Sequence, residues 1–405
     1  MAAPLTPIDE ALARLLADLP RCQDSQPAEL LQAVGRVLTR DVHALTNVPP
    51  ADNSAMDGFA VRAAEAARVP CRLPVSQRIP AGRVGAPLAP GTAARIFTGA
   101  TLPPGADAVV MQENCQWDDD SVTILQAPAR GESVRFAGED VRRGTCLFAR
   151  GHRLRMTDLD NLAAAGCAAV EVCRPLRVAL LSTGDELVKP GQELGPGQIY
   201  NANFYPLAAL LQSLGMEVLD LGIIADDPRI TRRALQDAAA TTDCVISSGG
   251  VSVGEADHVR DAVQALGSLD LWRLAIKPGK PFAYGRVAGR PFFGLPGNPV
   301  SAFVTFLLLV RPALLTMSGA AQVAPLTLRL GAGFEAGRSG DRQEYLRVSV
   351  HTTDSGESRL IPYNSQGSAI SASLSQSDGL AIVPPATVVQ VGDLLTFMPF
   401  SALLH

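Results

Sequence analysis

The chain has 405 residues, 35 of them basic and 40 acidic, for a net charge of −5 and a pI near 5.6. That length allows about two to four domains, and the acidic balance argues against nucleic acid as a partner. Seven cysteines (Cys22, Cys71, Cys115, Cys146, Cys167, Cys173, Cys244) lie scattered with no Cys-x-x-Cys spacing. This fits reduced cytoplasmic thiols better than a disulfide framework or a zinc site.

In chain order, the opening "TPIDEALARLLADLP" predicts an amphipathic surface helix, with Thr6 and Asp9 as a capping box and Pro7 at its first position. No basic start precedes an apolar run, so a signal peptide is not expected. Residues 50 to 138 are rich in Pro, Gly and short β-type runs such as "GTAARIFTGA" and "ADAVVMQEN", and predict a β-rich unit. Residues 1–49 and 139–175 make a mixed linking unit, with Thr157 and Asp160 as a second capping box. From 176 to 324 strands alternate with helices: "RVALLS", "VLDLGII" and "CVISS" against "FYPLAALLQSLG", "RRALQDAAA" and "HVRDAVQALG". Strands apolar throughout, separated by helices, predict a doubly wound parallel sheet covered on both faces. Residues 325–405 read as short alternating strands and predict a small β domain of barrel type. The longest apolar run, "AFVTFLLLV", is too short to span a bilayer, so the expectation is a soluble protein with no membrane partner.

In such a sheet, ligands bind where loops leave the carboxyl ends of the strands. The first strand ends in "STGDEL", with Thr183, Gly184 and Glu186, and the next in "ADDP", with Asp226. The third runs into "SSGGVSVGEAD", where the Gly249–Gly250 turn is followed by Ser252, Glu255 and Asp257. Further on, Lys277 and Lys280 flank a Pro278-Gly279 turn. In "GLPGNP", after Pro296 and Gly297, Asn298 is a natural N-cap and Pro299 a first helical residue. Singly, each has a bland explanation as a turn, a cap or a solvated hairpin. Together they converge on one cleft. Carboxylates beside a glycine loop built to approach an anion make sense if Mg²⁺ stands between them and a phosphate, with lysines stabilising the phosphate from the other side.

The motifs "PPADNSAMDGFAVR", "IFTGATLPPGADAVVMQE", "STGDEL", "SSGGVSVGEAD", "IKPGKPFAYG" and "GLPGNPVSA" together resemble the molybdopterin molybdenumtransferase family, which includes the E-domain of gephyrin. The resemblance covers essentially the whole chain. It implies an enzyme that inserts molybdenum from molybdate into the dithiolene of adenylylated molybdopterin, releasing AMP with Mg²⁺ present. It also implies an elongated homodimer whose cleft is shared between the α/β domain of one subunit and the β-rich domain of its partner.

Carried over by position, Asp57, Thr98, Glu186, Asp257, Lys277 and Lys280 are implied as catalytic. Asp140, Thr183, Gly184, Asp226, Gly249, Gly250, Ser252, Arg273, Pro296, Gly297, Asn298 and Pro299 are implied as binding residues, and Glu186, Asp226 and Asp257 as metal ligands. Arg273 stands where the family often has lysine; it keeps the charge and adds a second donor, but gives up a titratable amine. Molybdopterin adenylyltransferase and proteins that mature molybdoenzymes are the expected partners. The adenylyltransferase, a small α/β protein whose loop reads Ser-Gly-Gly-Thr-Gly, is the nearest rival reading, but Val251 and Ser252 follow the glycines here. A non-catalytic scaffold is the other rival, and it has no need of the whole acid set.

Overall fold

The computed structural model describes residues 5–250 and 258–403. Its centre is a six-stranded sheet in the order Glu217–Ile224, Arg177–Thr183, Cys244–Ser248, Arg290–Leu295, Pro281–Val287, Gly267–Arg273. The first four strands are parallel and the last two antiparallel, so the sheet is mixed rather than wholly parallel. Alternate side chains serve two cores. Val178, Leu180 and Ile246 face one side, while Ala179, Leu181 and Val245 face helices Pro228–Thr241 and His258–Leu266 on the other. The first crossover helix, Phe204–Ser213, packs on the former face and the second, Pro228–Thr241, on the latter. The winding therefore reverses between strands Arg177–Thr183 and Cys244–Ser248, where ligand clefts of such sheets form.

Helical turns run without a break from Pro299 to Met317 through a π-turn at Phe306–Val310. The expectation of a short apolar run is corrected here: this helix has 19 residues, with length and apolarity enough to cross a bilayer, yet 94% of its most apolar 18-residue stretch is buried in the protein. It is a core helix. The opening helix, Ile8–Asp18, is amphipathic and at the surface as expected, with Ile8, Ala11 and Leu15 buried in the same core and Asp9, Glu10 and Arg14 exposed. Its cap differs from expectation: Pro7 rather than Thr6 holds the N-cap position, and no side chain caps it. Thr6 instead bridges to the sheet edge, its N–H donating to the Arg273 carbonyl while its own carbonyl accepts from Ala275.

Strand Ser25–Glu29 pairs with Ala169–Cys173, and Val42–His43 with Cys146–Phe148, around a separate small core that includes Leu38, Leu154, Leu162 and Val172. Thr157 makes no capping bond to helix Asp158–Ala164. The buried carboxylate of Asp158 takes over, accepting from His152 Nε2 at 2.7 Å, from the Arg155 backbone at 2.9 Å and from Arg155 NH2 at 2.9 Å. Residues 53–135 hold a six-stranded sheet with a core on each face. In the C-terminal part, Gln343–Thr352 pairs with both Ser358–Pro362 and Gly379–Val383, closing five strands into a small barrel.

Two stability measurements test this packing. Phe306→Ala, at a fully buried ring in the π-turn, is expected to destabilise the protein by about 3–5 kcal/mol in denaturant unfolding. For Asp158, burial works to raise the carboxyl's pKa, but the Arg155 side chain and N–H and the His152 contact outweigh it and hold it below the usual range. Its stabilisation is therefore fully present above the unfolded value near ~3.9 and lost as pH falls through the lower folded value. Asp158→Asn should cost about 1–3 kcal/mol at neutral pH, and the gap to wild type should close in unfolding curves taken at progressively lower pH.

Candidate functional site

A cleft of about 660 Å³ opens at the winding reversal, over the carboxyl ends of the central strands. Eight residues singled out in the sequence line it: Thr183, Glu186, Gly249, Gly250, Pro296, Gly297, Asn298 and Pro299. Gly249 and Gly250 both have positive φ, and a Cβ on Gly250 would press on Thr183 Oγ1 and Val259, so this turn lies flush against the first strand only because it is glycine. Asn203, at the start of its helix, donates from Nδ2 to Ser248 Oγ at 3.1 Å and to the Gly297 carbonyl at 2.7 Å, tying the third strand's end to the 296–299 loop.

Asn298 holds the N-cap position, but its side chain makes no capping bond. The backbone N–H groups at that helix start do not all face the cleft free: Pro299 has none, and the Val300 N–H donates to the Ser368 carbonyl. Ser368 belongs to a C-terminal segment that also places Ala369 in the cleft wall. That segment is held by Arg347, which is fully buried and bonds the Gly367 carbonyl, Ser373 Oγ and the Tyr345 carbonyl; burial lowers its pKa to about 10. Among the other wall residues missed by sequence reasoning, Leu187, Ile199 and Tyr200 come from a two-stranded flap, Leu187–Val188 with Ile199–Tyr200. The available signal was the apolar pair Ile199-Tyr200 just ahead of the helix start.

Of the two candidate metal ligands among the described residues, Glu186 lines the cleft and Asp226 does not. Glu186 is exposed, its carboxylate folded over Gly184. Asp226 is also exposed, and its N–H donates to Asp185 Oδ1 at 3.1 Å, joining the two acidic loops. Neighbouring Asp227 is occupied as an N-cap, accepting from Arg229 and Ile230, whose N–H groups lower its pKa. Among the described residues no three potential ligands form a metal cluster. The pair Glu186 and Asp226 nevertheless has the right donor chemistry for a hard divalent cation, being carboxylate oxygens that reach solvent. Ser252, Glu255 and Asp257 lie outside the described residues.

The basic residues are arranged differently from expectation. The Lys-Pro-Gly-Lys segment is no simple hairpin, because Ile276–Lys277 leaves to pair with Gln343–Thr352 of the barrel, whereas Pro281–Val287 stays in the central sheet. Lys277 is paired at 3.2 Å with Glu344 and does not line the cleft. Gly279, at φ +104, would with any Cβ collide with Thr305 of the core helix. Lys280 directly precedes Pro281, which does line the cleft. Arg273 ends the edge strand, away from the cleft lining.

On the β-rich unit, Asp57 and Thr98 meet. Asp57 Oδ1 accepts from both the Thr98 N–H and the Thr98 hydroxyl, each at 2.8 Å, and those bonds, with Arg95 nearby, lower its pKa. Neither residue lines the cleft of its own chain, and neither does Asp140, whose N–H donates to the Val48 carbonyl.

The chain matches three family descriptions: "MoeA N-terminal region (domain I and II)" over residues 6–166, "Probable molybdopterin binding domain" over 179–316 and "MoeA C-terminal region (domain IV)" over 329–400. It is 36% identical to the molybdopterin molybdenumtransferase of Haemophilus influenzae, covering 98% of this chain and 99% of that one. It is 38% identical to the Nostoc protein of the same name, covering 91% and 87%. The crystal structure of the molybdopterin biosynthesis moeA protein from Pyrococcus horikoshii OT3 superposes with a TM-score of 0.84 at 30% identity, over 98% of this chain and 100% of that one. From end to end, therefore, the chain belongs to the MoeA family of molybdopterin molybdenumtransferases.

Proposed function

We propose that the cleft binds adenylylated molybdopterin, and that the protein, a transferase by family, inserts molybdenum from molybdate into the dithiolene and releases AMP. The observation that carries this reading is the convergence of Thr183, Glu186, Gly249–Gly250 and Pro296–Pro299 on one cleft at the winding reversal. The glycine turn lets backbone approach a phosphate closely, and the Asn298 side chain, free of capping duty, is available to a polar ligand. Lys280 places positive charge beside the wall formed by Pro281. Glu186 and Asp226, with Asp257, would hold Mg²⁺, which would supply charge neutralisation at the phosphate. Glu186 and Asp226 are exposed, which leaves these carboxylates ready for such a ligand. The seven free thiols suit a cytoplasmic enzyme.

The site is proposed to be shared across a homodimer. What supports this is that the bonded pair Asp57 and Thr98, implied by the family's motifs, is absent from the cleft lining of its own chain. In a two-fold assembly each cleft can take that pair from the partner.

The decisive assay is AMP release from adenylylated molybdopterin with molybdate and Mg²⁺, and no release from the wild-type protein overturns the reading. In equilibrium titrations with the same ligand, Lys280→Ala should weaken binding by about 1–3 kcal/mol. Lys277→Ala should weaken it less, because Glu344 already engages that charge; the reverse order would reassign the phosphate contact. For sharing, Asp57→Ala and Glu186→Gln proteins, each inactive alone, are mixed and allowed to exchange subunits. Recovery of up to about a quarter of wild-type activity is expected for random pairing. Zero activity with exchange verified by mass rules sharing out.

A further inference from the structure

The chain crosses twice between the core around the central sheet and the small core built on strands Ser25–Glu29 and Ala169–Cys173, and the two crossings lie side by side. One runs from Leu19, buried in the central core, to Ala28, buried in the small one; the other runs from Val172 in the small core to Leu176 in the central one. Each carries a cysteine, Cys22 in the first and Cys173 in the second. The backbones are tied there, since the Arg174 N–H donates to the Asp24 carbonyl at 3.2 Å and Ser25 stands opposite Cys173 in the strand register. Cys22 Sγ donates at 3.8 Å to that same Asp24 carbonyl, which sets the Cys22 thiol beside the Cys173–Arg174 backbone, while Cys173 Sγ donates to the Arg174 carbonyl at 3.3 Å.

We propose that Cys22 and Cys173 are a redox pair, which an oxidant of the hydroperoxide class converts into an intrachain disulfide that ties the two crossings together. Cys22 reacts first, because it is partly exposed and borders an opening of about 250 Å³, whereas Cys173 is buried. The Cys22 sulfur attacks the peroxide, forming an S–O bond as the O–O bond breaks; the thiol's proton passes to the leaving oxygen, giving a sulfenic acid and water from hydrogen peroxide, or an alcohol from an organic hydroperoxide. The Cys173 sulfur then attacks that sulfur, forming the S–S bond and expelling hydroxide, which leaves as water with the thiol's proton. The two thiols together give two electrons to the peroxide. Burial, then the contact with Cys22, pushes the Cys173 thiol up to about 12, so the second step is slow at neutral pH and faster in alkaline buffer. Cys146, the exposed thiol, lies in a strand of the small unit away from both crossings. Once formed, the bond restricts rotation of one unit on the other, and a thiol reductant reverses it.

The test uses the full-length protein, reduced, freed of reductant, exposed to hydrogen peroxide and alkylated in denaturant. The expected result is a loss of two thiols and a Cys22–Cys173 linked peptide by mass spectrometry, both reversed by dithiothreitol and both absent in Cys22→Ser. Cys173→Ala should instead accumulate a dimedone-reactive sulfenic acid at Cys22. If Cys173→Ala does not fold, Cys22→Ser carries the control, its site being partly exposed. Full alkylation of both cysteines after oxidation, or thiol loss without that linked peptide, overturns the pairing. Absence of a dimedone adduct at Cys22 in folded Cys173→Ala overturns the order of attack.

Discussion

A helix that is apolar on every side has to be enclosed on every side, and the arrangement of this protein around its centre follows from that constraint on Pro299–Met317. One flank is covered by the sheet through Ile246, Phe293 and Leu295, and another by the N-terminal helix through Ile8, Ala11 and Leu15. The barrel closes the remainder, with Phe400 edge-on to Phe303 at 5.5 Å and Tyr345, Leu380 and Met398 in the same core. Segments distant in sequence are thus fixed against a single element whose first residue, Pro299, is part of the cleft wall.

Enclosing a helix so completely traps polar groups, and each trapped group becomes a positioning device. Arg311, within the helix, bonds the carbonyls of Leu403 and Val323 and so pins the chain end and the linker into the barrel; burial lowers its pKa to about 10. Arg347 does the same for the segment that supplies Ala369. Burial of an arginine is costly unless its donors are satisfied, so these acceptors are held firmly. The cleft's geometry is consequently set from behind, by residues outside its lining.

Charge is distributed on the same logic. Asp243 is paired with Arg174 where the small unit meets the sheet, and Glu344 holds Lys277 where the barrel meets it. Glu186 is exposed in the cleft lining, and the exposed Asp226 lies on the next loop, tied by its N–H to Asp185.

Much of this was legible in the sequence. Unbroken apolar strands separated by helices determined the α/β sheet, and glycine and proline at the strand ends marked Gly249–Gly250 and Pro296–Pro299 as loop residues. What converged on the cleft from the motifs did so because strand-end position is a local property. The tertiary structure decided the rest. Helix burial depends on what lies opposite, so the apolar run at 302–310 read as a fragment of what is one core helix. The antiparallel edge depends on pairing, so Lys277 could not be seen leaving for the barrel. Ala369, Tyr200 and the Arg347 support reach the cleft only through contacts between distant segments. Spacing along a chain encodes which residues share a face; which faces meet is fixed only when the apolar surfaces are buried together.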